Sequence, residues 1–323
     1  MSLANVEQQE VVATPERFRF SFHGQGAALF FVIVKNVLLT LVTLGIYAPW
    51  AKTARRKFVW SSIEIHGQRL SYTGTGAELF KGYLKVAAAY LIFFGVPTLV
   101  KRADKNVGTL VQIVATLLIV LVVPFAIWWS RAYLLSRTTW RGVRFRIVGS
   151  AKPYAKTFIV GSILTLLTLG FYSPFMANRM REQITNATYL GSQPFRYDGK
   201  GNELFKIWIR GFLLTIVTLG IYSFWLQANM QRYYMEHTSI DQARGRFTLT
   251  GGDLFNITVG QIFGTALTLG IAFPWLLCWT LSRVCNGLSF EGNIDFTQIN
   301  AAAAHGGAAG DGLADAFGVD LGV

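Results

Sequence analysis

Thr43-Leu44-Gly45-Ile46-Tyr47-Ala48-Pro49-Trp50 closes the first apolar run of the chain, and its first three residues recur. Thr168-Leu169-Gly170, Thr218-Leu219-Gly220 and Thr268-Leu269-Gly270 follow at a period of 50, after a first gap of 125 residues that has room for one longer copy. Self-similarity at a fixed period marks stacked copies of one unit. The units also open alike, at His23-Gly24-Gln25-Gly26-Ala27-Ala28-Leu29-Phe30, Thr73-Gly74-Thr75-Gly76-Ala77-Glu78-Leu79-Phe80, Asp198-Gly199-Lys200-Gly201-Asn202-Glu203-Leu204-Phe205 and Thr250-Gly251-Gly252-Asp253-Leu254-Phe255. Five units are expected, at about 18–71, 72–144, 145–194, 195–246 and 247–300, the third degenerate. A disordered N-terminus (1–17) and a flexible acidic tail (301–323) flank them.

Each unit reads as helix, tight turn, helix. The Leu-Phe run begins a helix, with Glu78, Glu203 and Asp253 in the first turn, where the helix dipole favours an anion. The Thr-Leu-Gly ends it, because glycine is the usual residue just past a helix terminus. Pro49, Pro174 and Pro274 then stand where a second helix would start, a position proline suits; Phe224 takes that place in the fourth unit. Behind each second helix come two short alternating runs with glycine between them, a β-hairpin signal: residues 63–72, 138–148, 187–197, 240–249 and 288–296. Phe18-Arg19-Phe20-Ser21-Phe22 reads as an unpaired copy of the second strand.

Composition sets the environment. Of 323 residues, 52% are hydrophobic and only 15% charged, against about 25% charged in ordinary soluble domains. The mean hydropathy is +0.38. These values exclude a disordered chain and argue against a water-soluble enzyme. Thirty Lys and Arg face 17 acids, a net charge of +13. Residues 52–85 and 131–156 each hold seven cations and residues 179–210 hold six, all on the strand side of the units, whereas the Thr-Leu-Gly turns hold none. Positive charge marks the cytoplasmic side, so each unit is expected to enter the membrane and return, with both termini cytoplasmic. Val107–Trp129 is the cleanest span, preceded by Val86–Val100; the shorter hairpins give roughly 25 Å per helix. The expected fold class is an α-helical multi-pass membrane protein of five helix-turn-helix repeats, each with a cytoplasmic β-hairpin. Met1–Glu16 is polar, so no signal peptide is expected.

The openings, the Thr43–Trp50 turn and the tails Ala177-Asn178 and Ala228-Asn229 together resemble the YjgN family of bacterial inner-membrane proteins, over about Phe18 to Val323. The resemblance extends to Asp311–Phe317. It implies a multi-pass inner-membrane protein and no catalytic residue. From the residues themselves, Asn178, Gln227 and Asn229 are candidates to line a polar cavity or to join helix to helix. Arg55, Arg131, Arg181, Arg232 and Arg283 stand near equivalent places on the second helices, as an anion path, as lipid-headgroup contacts, or as snorkelling interfacial cations.

The Gly-x-Gly openings lack the Gly-Lys-Ser/Thr ending of a phosphate loop and are better explained by turn and cap geometry. Cys278 and Cys285 read as packing residues, and the four histidines have no metal-ligand spacing. No cofactor, metal or enzymatic activity is expected, and no nucleic-acid partner. Two functions stay open. One is transport or channel-like, through a polar cavity between hairpins. The other is a non-transporting scaffold associated with anionic lipids through a β-rich layer. The expected partners are anionic membrane lipids, with a homo-oligomer or a protein partner reached through the tail.

Overall fold

The computed structural model describes residues 17–295 and Ile299. Ten short strands alternate with helical hairpins. The first hairpin, α1 (Gly26–Val42) and α2 (Ala48–Ser62), lies between β1 (Arg17–Phe22) and β2 (Ile63–Ile65). After β3 (Gln68–Tyr72) comes one long rod, made of α3 (Gly76–Tyr90), a π-helical turn (Leu91–Gly95) and α4 (Val96–Ala103); it leads into α5 (Lys105–Ser136). Strands β4 (Thr138–Trp140) and β5 (Val143–Ile147) are followed by α6 (Ala151–Leu167) and α7 (Ser173–Ala187). Strands β6 (Thr188–Leu190) and β7 (Gln193–Tyr197) precede α8 (Gly201–Val217) and α9 (Ser223–Glu236). Strands β8 (Thr238–Ile240) and β9 (Ala243–Phe247) precede α10 (Gly251–Leu267) and α11 (Phe273–Asn286), and β10 (Leu288–Glu291) completes the set.

The strands close into an antiparallel barrel in which every strand pairs with its neighbours in sequence and β10 pairs with β1. This overturns the α-helical multi-pass class. The architecture is a closed ten-stranded barrel carrying helices, and only two helical rods, Gly76–Ala103 and Lys105–Ser136, are long and apolar enough to cross a membrane among the described residues. Closure also corrects the reading of residues 18–22. β1 is not an unpaired copy, since Phe18 faces Phe290 of β10 and Phe22 faces Ile63 of β2. Among the described residues no hairpin forms within 288–295; β10 takes β1 and β9 as partners instead. Of the N-terminal segment expected at 1–17, Arg17 belongs to β1 and residues 1–16 lie outside the described residues, as does the tail 301–323.

Strand alternation explains how the barrel is filled and coated. Along Val143-Arg144-Phe145-Arg146-Ile147 and Ala243-Arg244-Gly245-Arg246-Phe247, the odd residues point inward and the arginines outward, as a period of two demands. Trp140, Val143, Leu190, Ile240 and Ile299 form a core cluster inside the barrel, with Phe145, Phe195, Phe290 and Ile294 packed against it, around an apolar cavity of about 220 Å³. At one end the strands join by two-residue turns. His66-Gly67 and Arg141-Gly142 both hold positive φ at both positions, the requirement of the hairpin turn that matches strand twist.

At the opposite end the hairpins stand side by side. α2 packs on α3, α5 on α6, α7 on α8, α9 on α10, and α11 returns to α1, so the helices also close into a ring. The Gly-x-Gly openings build this junction by close approach rather than by turn geometry. The first glycine lies under the last aromatic residue of a strand, as in Gly24 with Phe22, Gly74 with Tyr72 and Gly199 with Tyr197. The second lies against the preceding hairpin: Gly26 on Trp275, Gly76 on Trp50, Gly201 on Phe175 and Gly251 on Trp225.

Candidate anion-binding cleft

Three of the five hairpins carry an acid in the first turn of their first helix, where the helix dipole favours it. Glu78, in the first turn of α3, accepts from Tyr133 Oη at 2.9 Å and pairs with Arg137 Nη2 at 2.9 Å at the end of α5. Glu203, in the first turn of α8, accepts from Tyr233 Oη at 3.1 Å, with His237 Nε2 at 3.8 Å. Burial, with the Glu203 carboxylate beside it, pushes the Tyr233 phenol up to about 12. Thr250 and Asp253 form a reciprocal capping box at the start of α10, and the hydrogen bonds from Thr250 hold the Asp253 carboxyl below its ordinary value.

Above the Glu203 clasp, a cleft of about 660 Å³ lies between α8 and α9. Its lining includes Lys206, Arg210, Asn229, Arg232, Tyr222, Tyr233 and Glu236, three cations against one carboxylate. Arg232 is fixed in place. Its Nε donates to the Phe247 carbonyl at 3.3 Å, Nη2 to the Leu249 carbonyl at 3.2 Å, and Nη1 to Asn229 Oδ1 at 3.4 Å. Lys206 and Arg210 are exposed and one helical turn apart, so they extend from the same face of α8.

These two cations belong to a wider register. Counting from the first residue of α1, α3, α6, α8 and α10, the sixth position holds Phe31, Lys81, Lys156, Lys206 and Asn256. The tenth holds Lys35, Lys85, Val160, Arg210 and Gly260. All six cations are exposed. The packed faces of these helices are elsewhere: Phe30, Phe80 and Phe205 lie on Trp275, Trp50 and Phe175 of the preceding hairpin, and Gly211 meets Leu226 of its own. The cations therefore form a belt off these contact faces, at two levels of the ring. Their spacing of four residues at matching places is visible in the sequence itself.

The residues expected from sequence divide. Asn229 and Arg232 line the cleft, while Gln227 is exposed on α9 outside it. Asn178 is buried and structural: it accepts from Tyr197 Oη at 2.6 Å and donates to the Gly199 carbonyl at 2.9 Å. Arg181 lies over the Tyr234 ring at 5.3 Å, and burial lowers its pKa. Arg55 and Arg131 are exposed, and Arg283 lies over the Trp279 ring at 5.8 Å. The five arginines do not share one level. Arg55 stands eight residues before its following strand, Arg131 and Arg181 seven, Arg232 six and Arg283 five. At about 100° per residue they point in different directions. Cys278 and Cys285 are free and buried beside Phe22 and Leu29. Among the described residues no group of three or more His, Cys, Asp or Glu is placed to hold a metal.

A family model described as "Bacterial protein of unknown function (DUF898)" matches residues 17–199, 192–256 and 226–316. The chain belongs to the DUF898 family. The chain is similar to the inner membrane protein YjgN of Escherichia coli K12, at 36% identity over 136 residues, covering 42% of this chain and 32% of that protein. The inner membrane protein YjgN of Salmonella typhimurium LT2 is 31% identical over 125 residues, 38% of this chain and 30% of its own length. The match thus spans about a third of the length of these curated relatives. The resemblance drawn from the turn and opening motifs is to this group of proteins. No solved structure matches.

Proposed function

We propose that the protein is an integral inner-membrane scaffold that gathers anionic lipid headgroups at the base of its helical ring, with the α8–α9 cleft as the strongest contact. The carrying observation is the set of six exposed cations at two shared positions of the first helices, two of which enter a cleft already holding Arg232 and Asn229. The names of the relatives and the two rods of spanning length support the membrane assignment. The basic face is read as cytoplasmic, where anionic lipids attract clustered Lys and Arg at about 1 kcal/mol each. Transport through the barrel is the weaker reading, because its interior cavity is lined by apolar side chains such as Trp140, Phe145, Phe195 and Phe290.

The test is retention of phosphatidylglycerol or cardiolipin against phosphatidylethanolamine by the purified full chain, read by native mass spectrometry. Lys206→Gln with Arg210→Gln removes two cations, about 2 kcal/mol or roughly 30-fold in relative retention. Equal retention by the variant and the parent refutes the proposal. So does solute flux through reconstituted vesicles that depends on Asn229.

A further inference from the structure

We infer that the four short hairpins penetrate one leaflet only, their Thr-Leu-Gly turns stopping near the bilayer midplane, while α4 and α5 alone continue through the second leaflet. The inference rests on the membrane reading above and adds depth and asymmetry to it.

Distance along the helices carries the first part. From the belt cations Lys35 and Arg210 to the turn glycines Gly45 and Gly220 is ten residues, about 15 Å at 1.5 Å per residue. The hydrocarbon core is about 30 Å thick. A helix whose cations sit at one headgroup layer thus ends halfway across. The long rod gives an independent gauge. From Lys85 to Lys101 is sixteen residues, about 24 Å, and Lys101, Arg102 and Lys105 cluster at its far end. With long cationic stems reaching to either surface, that length fits a whole core. Beyond the level of the short turns, α4 and α5 pack on each other. Leu110 and Leu117 of α5 stand exposed there.

The turns themselves are built for an apolar medium. Leu44, Leu169, Leu219 and Leu269 are 94, 89, 94 and 93% exposed, all with positive φ. Leucine held in a left-handed conformation and fully presented is poorly explained by water, and it is well placed in hydrocarbon. The turn amides need no water. In the fourth unit Leu219, Gly220, Ile221 and Ser223 donate to the carbonyls of Ile216, Thr215, Thr218 and Gly220, and Tyr222 N–H donates to Thr218 Oγ1 at 2.9 Å. The same threonine hydroxyl bond closes the other three turns, to Tyr47, Tyr172 and Ala272. Backbone exposed to lipid must be satisfied internally in this way.

Depth can be measured on the full chain with Cys278→Ala and Cys285→Ala, carrying Leu219→Cys or Ala103→Cys, in vesicles of phosphatidylcholine with and without phosphatidylglycerol. A spin label at Leu219 should show the high oxygen and low nickel-chelate collision ratio of the bilayer centre. A label at Ala103 should react with a membrane-impermeant maleimide on the side opposite to Arg244→Cys in the barrel. Impermeant labelling of the Leu219 site from either side overturns the inference, as does Ala103 on the barrel side. Amide exchange at 214–223 of the unsubstituted chain in vesicles is a second reading; protection supports the buried turn, and rapid exchange overturns it. Depth retained without headgroup preference would remove the lipid-gathering proposal and leave this one standing.

Discussion

Gly251 and Gly252 are adjacent at the start of α10, yet they should respond to alanine in opposite directions. A Cβ at Gly251 would lie 2.5 Å from Trp225 Cα and against the indole ring, so backbone of the neighbouring hairpin must move. A Cβ at Gly252 meets only Thr250 Oγ1, at 3.7 Å. Overpacking of this kind costs about 1–3 kcal/mol. Replacing an unobstructed helical glycine gains about 0.5–1 kcal/mol through the unfolded chain. The two variants should therefore differ by about 1.5–4 kcal/mol, or roughly 3–8 °C at about 2 °C per kcal/mol for a chain of this size. Thermal unfolding of the detergent-solubilised full chain, followed by near-ultraviolet circular dichroism, reads the difference directly. Gly251→Ala melting at or above Gly252→Ala would refute the claim that the glycine beginning α1, α3, α8 and α10 seats one hairpin on the next.

Tyr197→Phe should destabilise by about 1–3 kcal/mol, because Asn178 Oδ1 is left buried without its donor; the same melts test it. Thr250→Ala should cost about 1 kcal/mol as the loss of a helix cap. It should also flatten the acid limb of stability: the lowered Asp253 carboxyl contributes above its ordinary pKa, and that contribution is lost as pH falls through the folded value. On the alkaline side, Tyr233 stays neutral in the fold up to about 12, whereas an unfolded tyrosine ionises near 10. Stability should hold below pH 10 and fall as pH rises toward 12, with a shallower fall in Tyr233→Phe; equal slopes from pH-dependent melts would contradict this.

The local features of the fold were legible because they rest on local chemistry. Thr-Leu-Gly ends a helix wherever it occurs, since the threonine hydroxyl and the glycine conformation act within one turn. Arg-Phe-Arg alternation marks a strand with one apolar face. Barrel closure was not legible, because strands of three residues carry little pattern and the decisive pairing joins β1 to β10 from opposite ends of the chain. The paired glycines were visible, but their cause was misassigned to turns; the aromatic residues that require them lie in other segments. Asn229 and Arg232 could be singled out as polar groups on a second helix, whereas the presence of Lys206 and Arg210 across the same cleft depends on how α8 packs against α9.

The central structural claim is that the barrel closes on itself, and one crosslink tests it most directly. Arg19 of β1 and Ser289 of β10 are register partners on the outer wall. In the full chain with Cys278→Ala and Cys285→Ala, Arg19→Cys and Ser289→Cys should form a disulfide under mild oxidation in membranes, with a shift in electrophoretic mobility that reductant reverses. A Ser71→Cys, Thr139→Cys pair across β3 and β4 is the positive control. Crosslinking of the control pair without crosslinking of the Arg19–Ser289 pair would contradict a closed barrel.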